Sequence, residues 1–273
     1  MCWSERSTVA GYSRGRCDAA RRVSNGSPWR SGAVMQLTAL TGEAARCLMP
    51  GVELSRLERC VHLRFSSPHK TLSSAVLNGG YCAASDFLNV RVPRHCPEPP
   101  EDPAITLQRL SDELQCRGTT VAMMTAASLD SLRVASGAVC GETLAVLVTT
   151  GLENARRAGD PAEYRTLDVE PAERGTINLA IVTSARIADA ALVEMVAIAT
   201  EAKAAVLQEL CISSPVSGGL ATGTGTDAIA VFSGHGAAGA RFAGKHTLLG
   251  ERLAVMVMDA IRSSVNYQQA PAA

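Results

Sequence analysis

Apolar and polar positions alternate in short runs along the first two thirds of the chain and settle into a helical repeat in three places. From Met35, "MQLTAL" and "CVHLRF" read as strands, separated by a turn at Met49-Pro50-Gly51 and the segment "VELSRLE". "SSPHKTLSSAVLNGGY" is rich in turn-formers and reads as a loop; "FLNVRVP" is a short strand that Pro93 ends, and "PRHCPEPPEDP" is a surface linker. Asp102 and Pro103 then open an amphipathic helix in which Ile105, Leu107, Leu110 and Leu114 follow the helical repeat and Gly118 supplies a stop.

Three strands follow, "TTVAMMTAA", "LRVASGAV" and "TLAVLVTTG", and their short connections imply antiparallel neighbours. "GTINLAIVTS" is apolar on both faces, which places it centrally in a sheet. A mostly buried helix is expected from Asp189, its N-cap, to about Leu210. The loop "SGGLATGTGT", the strand "DAIAVFS" and a last helix over "HTLLGERLAVMVMDAIRSSV" complete the pattern. With no 20–50-residue repeat and no strict βαβ alternation, the expected architecture is a single α+β domain over residues 35–266, with a mostly antiparallel or mixed sheet and helices packed against it.

Both ends differ from this body. Residues 1–34 carry Arg6, Arg14, Arg16, Arg21, Arg22 and Arg30 among Ser and Gly with no apolar period, so a disordered extension or one upstream of the true start is expected. It holds both tryptophans, Trp3 and Trp29. Residues 267–273 are expected to form a disordered tail.

Composition removes several classes of function. The formal net charge is +0, and the basic residues are scattered among acids, so no nucleic-acid partner is expected. No run reaches the roughly 20 apolar residues of a membrane span, so no membrane partner is expected either. Nine cysteines with no CxxC pair argue for a reducing, cytoplasmic setting and against a disulfide framework.

The polar residues that break apolar context are the candidates for chemistry. Asp227 follows the Gly-Thr loop and opens a strand, so its carboxylate serves either as an acid or base or as an acceptor for the turn's own N–H groups. Lys245 and His246 lie at the start of the last helix, where His246 is either a neutral base or a surface side chain. The loop Gly223, Thr224, Gly225, Thr226 offers backbone N–H groups to an oxyanion; because it precedes a strand and lacks the lysine, it is not a P-loop. Glu194 and Glu201 share a face of the long helix and read as a solvated stripe near Lys203. Ser73, Ser74 and Asn78 suit hydrogen bonding, since no GxSxG elbow activates a hydroxyl. His62, His69, His95 and His235 are scattered, spaced Cys/His patterns are absent, and no metal site is expected.

The segments "LSSAVLNGG", "TAAS", "TTGLENARRAG", "GTINLAIV", "ARIADAALVEMVAIATEAKAAVLQEL", "SGGLATGTGTD" and "RFAGKHTLLGE", in this order between about Met35 and Ser264, resemble the adenosylcobinamide amidohydrolase family of corrinoid salvage. Glu153 stands where that pattern has a small residue, while Asn154 matches it. The resemblance implies hydrolysis of the amide joining aminopropanol to the corrin ring, with a non-catalytic corrinoid carrier as the alternative. It implies a corrinoid substrate that brings its own cobalt, and no further cofactor. Asp227 or His246 would activate water, and the N–H groups of Gly223 to Thr226 would hold the oxyanion. Ser73, Ser74, Asn78, Asn154 and Lys245 would bind substrate, with attack by Thr226 or Ser74 as the rival route.

Overall fold

The computed structural model describes residues 35–93, 101–164, 166 and 175–269, all within one compact unit spanning Ala33–Ala273. The N-terminal extension, most of the proline-rich linker and the last four residues lie outside the described residues.

In chain order the elements are β1 (Gln36–Ala39), β2 (Ala44–Met49), β3 (Val52–Arg56), β4 (Cys60–Ser73), β5 (Gly80–Arg91), α1 (Pro103–Glu113), β6 (Thr120–Thr125), β7 (Arg133–Val139) and β8 (Glu142–Thr150). After them come β9 (Ala155–Arg156), β10 (Ile177–Thr183), β11 (Arg186–Ile187), α2 (Asp189–Glu209), β12 (Gly223–Thr224), β13 (Ala228–Ser233), β14 (Gly239–Ala240) and α3 (Leu248–Gln269). Ten strands make one curled mixed sheet in the order β1-β7-β8-β10-β13-β4-β3-β2, with β5 paired to β4 and β6 to β5. This is the α+β single domain that the pattern predicts.

Strict alternation explains the layering, because successive side chains of a strand point to opposite faces. On β8, Leu144, Val146 and Val148 face α2 and α3, while Ala145 and Leu147 face the opposite way. Leu179 and Ile181 against Ala180 and Val182 on β10, and Ile229 and Val231 against Ala230 and Phe232 on β13, divide in the same manner. The second face meets Val61 and Leu63 of β4, Phe87 of β5 and Val121 of β6, so the curled sheet closes on its own core. A smaller cluster, with Leu88, Val90, Leu107 and Leu110, seats α1 on the outer face of β5 and β6.

Four expectations change. The segment after "CVHLRF" is not a loop: β4 continues through Pro68 to Ser73, with a register shift between Arg64 and His69. The shift lets one strand pair with β3 over its first half and with β13 over its second, which is how the sheet curls. β7 and β8 are antiparallel neighbours, but β6 runs parallel to β5 across the α1 crossover and reaches β7 through a 3-10 turn at Leu129–Ser131. Asp189 is the first helical residue of α2 rather than its cap, and its carboxylate accepts from Lys70 Nζ at 2.7 Å. α3 runs to Gln269, past the expected boundary at 266. β10 is central as predicted, flanked by β8 and β13. Among the described residues no helix is long and apolar enough to cross a membrane.

Candidate functional site

Register brings several segments to one edge of the sheet. Thr150 at the end of β8 lies opposite Ile177 at the start of β10, Asn178 pairs with Ala228, and Ser73 at the end of β4 pairs with Ala230. The chain therefore leaves or enters the sheet here carrying Asn154, Thr176, Asp227 and Ser74.

Asp227 organises this edge. Its Oδ1 accepts from Ile177 N at 2.9 Å and from Thr224 Oγ1 at 2.5 Å. Its Oδ2 accepts from Thr224 N at 3.0 Å and from Lys203 Nζ in an ion pair in which both side chains are about nine-tenths buried. All four acceptor directions of the carboxylate are engaged. A Cβ on Gly223 would strike that carboxylate and crowd Lys203 Nζ, which explains glycine there. The far side of the loop is also fixed: Thr226 Oγ1 donates to Gly175 O at 3.0 Å, and Thr176 Oγ1 donates to Thr226 O at 2.7 Å. Thr176 Oγ1 also lies 3.0 Å from Asn178 Oδ1, and the Asn178 amide donates to Asn89 Oδ1 and Met124 O, both at 2.8 Å. A buried polar chain thus ties the loop to the core.

Asn154 lies against this loop and is 7% exposed. Among the described residues its Oδ1 is buried without a hydrogen-bond partner. The glycines around it leave its amide room, since a Cβ on Gly175 would come 2.6 Å from Oδ1 and one on Gly225 would come 3.4 Å from Nδ2. Asn154, Arg156, Arg157, Asp160, Gly225 and Thr226 line a cleft of about 230 Å³. Several of its polar side chains are held by protein partners. Arg156 pairs with Glu163, and Asp160 accepts from Ser214 Oγ at 2.5 Å and Arg157 N at 2.9 Å. The Ser214 and Ser217 hydroxyls, followed by the Arg157 N–H, hold the Asp160 carboxyl below its ordinary range. Within the loop, Thr224 N is engaged by Asp227, and among the described residues the N–H groups of Gly225 and Thr226 have no acceptor.

The remaining expected site residues divide. Ser74 adjoins the loop's exit, its Oγ accepting from Ile229 N at 3.1 Å, and Ser73 Oγ accepts from Ala75 N at 3.2 Å. Asn78 is directed elsewhere, its amide donating to Thr120 O at 2.8 Å. Lys245 and His246 are exposed in the turn before α3; Lys245 pairs with Glu201 of α2, and no hydrogen bond joins His246 to Asp227. Glu194 and Glu201 are not a plain solvated stripe, because Glu194 Oε2 accepts from Ala243 N at 2.5 Å and both carboxylates hold the segment leading into α3.

The sequence does not single out Lys203 or Thr176. Lys203 had a signal, a lone cation in a helix of Ala, Val, Met and Ile, which in a buried element calls for a carboxylate partner. Thr176 had none, because its role depends on strand register.

Comparison with known proteins identifies the family of the chain. The family model for adenosylcobinamide amidohydrolase matches residues 48–273. An adenosylcobinamide amidohydrolase of Halobacterium salinarum is 30% identical over 218 residues, covering 76% of this chain and 85% of that protein. One from Methanosarcina mazei is 28% identical over 158 residues, 58% of this chain and 66% of that one. An uncharacterised protein of Methanocaldococcus jannaschii is 35% identical over 157 residues, and the match spans 60% of its length. Among solved structures, a Pyrococcus horikoshii protein aligns at 12% identity and TM-score 0.39, covering 86% of this chain and 84% of that one. A Burkholderia β-aminopeptidase aligns at 12% identity and TM-score 0.38, over 86% and 83% of the two chains; neither alignment bears on function. The family match extends over nearly all of the folded body, and this chain belongs to the adenosylcobinamide amidohydrolase family.

Proposed function

We propose that the chain hydrolyses the amide between the corrin ring and aminopropanol in adenosylcobinamide, giving adenosylcobyric acid and the free amino alcohol. Family membership supports the reaction, and the observation that carries the site is the buried, unpartnered Oδ1 of Asn154 beside the Gly-Thr loop. A buried acceptor left without a donor costs about 1–3 kcal/mol, which an amide N–H of the substrate entering the cleft would recover. Water oxygen adds to the amide carbonyl carbon, the C–N bond breaks, and the proton passes to the departing amine. The N–H groups of Gly225 and Thr226 stabilise the oxyanion formed in between.

Asp227 acts in this scheme as the anchor that holds the two N–H groups in place, since it takes a proton only by giving up a partner. The proton transfer is assigned to His246, which is exposed in the turn before α3 within the family-like segment "RFAGKHTLLGE". The hydroxyls of Thr226 and Ser74 are engaged with backbone groups, which favours water over a covalent route. The test is product analysis with steady-state kinetics on adenosylcobinamide. Asn154→Ala is expected to raise KM several-fold, and His246→Ala to lower kcat by about 10²-fold or more with KM little changed. Unchanged adenosylcobinamide after prolonged incubation with the native protein would identify a carrier instead. Near-native kcat in His246→Ala would remove that residue from the mechanism.

A further inference from the structure

A second chemical cluster lies away from the cleft. His62 on β4 and Asp86 on β5 both face the α1 layer, and Cys116 joins them from the turn that ends α1. His62 Nε2 is 2.7 Å from Asp86 Oδ1, Cys116 Sγ is 3.8 Å from His62 Nε2, and all three potential donor atoms lie within 4.8 Å of one another. His62 is 7% exposed and Asp86 0%. The sequence shows none of this, because 54 residues separate His62 from Cys116 and no motif spacing joins them.

The surroundings match those of a ligand set. Arg117 N donates to Asp86 Oδ2 at 2.8 Å, which fixes the carboxylate and leaves Oδ1 toward the histidine and thiol, as an outer hydrogen bond orients a ligating carboxylate. Gln115, just before the cysteine, has φ 51, and this left-handed turn delivers Cys116 to the cluster. Arg64 Nε lies 3.2 Å from the same Oδ1, so a cation already stands at the open side. Arg64 is also anchored separately, its Nη2 donating to Leu114 O at 3.3 Å and Gln115 O at 3.4 Å. Its Nε can therefore leave the carboxylate without freeing the side chain.

We propose that His62, Asp86 and Cys116 form a binding site for a thiophilic divalent metal ion of the zinc class, with Arg64 as the cation that the metal displaces. Imidazole, carboxylate and thiolate suit such an ion, whose bonds to them run about 2.0–2.3 Å, and a tetrahedral site completes its fourth position with water. Binding takes the neutral imidazole and the thiolate, so it releases to solvent both the Cys116 thiol proton and the proton that the Asp86 carboxylate favours on His62, and it leaves one carboxylate and one thiolate to balance the dication. His62 lies eleven residues before Ser73 on β4, about 36 Å of strand at ~3.3 Å per residue, so the ion would clamp the end of α1 to the sheet rather than take part in the hydrolysis.

Cobalt(II) titration of the full chain, kept reduced with a non-thiol reductant, tests the assignment. The expected result is a sulfur-to-cobalt charge-transfer band that saturates at one equivalent and is abolished by zinc. Cys116→Ser should lose the band and Cys211→Ser, at an exposed thiol, should keep it. Arg64→Gln should bind cobalt several-fold more tightly, a gain that a merely structural ion pair would not give. Zinc should raise the melting temperature of the native chain and not that of Cys116→Ser, which keeps the question decidable if Arg64→Gln folds poorly. No band in the native chain, or an undiminished band in Cys116→Ser, overturns the proposal.

Discussion

With only about a tenth of its side chain reaching solvent, Asp227 shows how a residue whose position the sequence marks acquires its role from neighbours the sequence does not place. The local pattern allowed a catalytic carboxylate or a turn acceptor, and Ile177 and Lys203, 50 and 24 residues away, engage it from two other elements. Lys203 is an ammonium buried in α2, and desolvating it is offset only while the carboxylate faces it. Asp227→Asn leaves that ammonium without a counter-charge, and it is expected to lower unfolding stability by about 3–5 kcal/mol. Lys203→Met combined with Asp227→Asn should recover a clear part of the loss, because the uncompensated charge has gone. Urea unfolding of the two single variants and the double variant checks this; a double variant as unstable as the sum of the singles would mean that the two side chains do not act as a pair. Asn154 was visible in the sequence as a match to a family pattern, but its unpartnered oxygen was not, since that follows from the packing of Gly175 and Gly225 around it.

Among the elements, periodicity was legible where one face alone is buried and misleading where the chain changes partners. α1 follows from its Asp102 cap and its Leu107 and Leu110 spacing; the Asp102 carboxylate accepts from Ala104 N at 2.7 Å. In the second half of β4, Ser66, Ser67 and Pro68 are turn-formers that predict a loop, yet they occupy the register shift where the strand passes from β3 to β13. The β7–β8 hairpin closes with Val139 opposite Glu142 across two residues, Cys140 at φ 51 and Gly141 at φ 84. Two consecutive positive values define a type I′ turn, whose first position favours asparagine, and a cysteine carries the left-handed penalty of an ordinary side chain. Cys140 is exposed, so replacing it disturbs no packing. Cys140→Asn should therefore stabilise the chain by roughly 1 kcal/mol, read as a higher melting temperature. A lower value would show that the thiol is engaged in the turn.

The molecule as a whole rests on β8, β10 and β13, which give one face to the helices and the other to the closed interior of the sheet. Phe232 of β13 shows the second contact directly, its ring 5.1 Å from Phe65 of β4 and 5.4 Å from Phe87 of β5. Domains above about 150 residues often unfold through intermediates, but a layer shared by both cores resists separation, because losing either side removes half the burial of the same strands. Leu144 and Leu147 report the two sides from one strand, the first packed toward α2 and α3 and the second toward β4 and β5. Both are at most 3% exposed, so each Leu→Ala change should cost about 2–5 kcal/mol. If the layer is shared, both variants should melt in a single transition displaced to lower temperature, with helical ellipticity and calorimetric heat moving together. An early helical transition in Leu144→Ala, with the remaining heat left at the native temperature, would show that α2 and α3 come away as a separate unit and that the central strands do not couple the two cores.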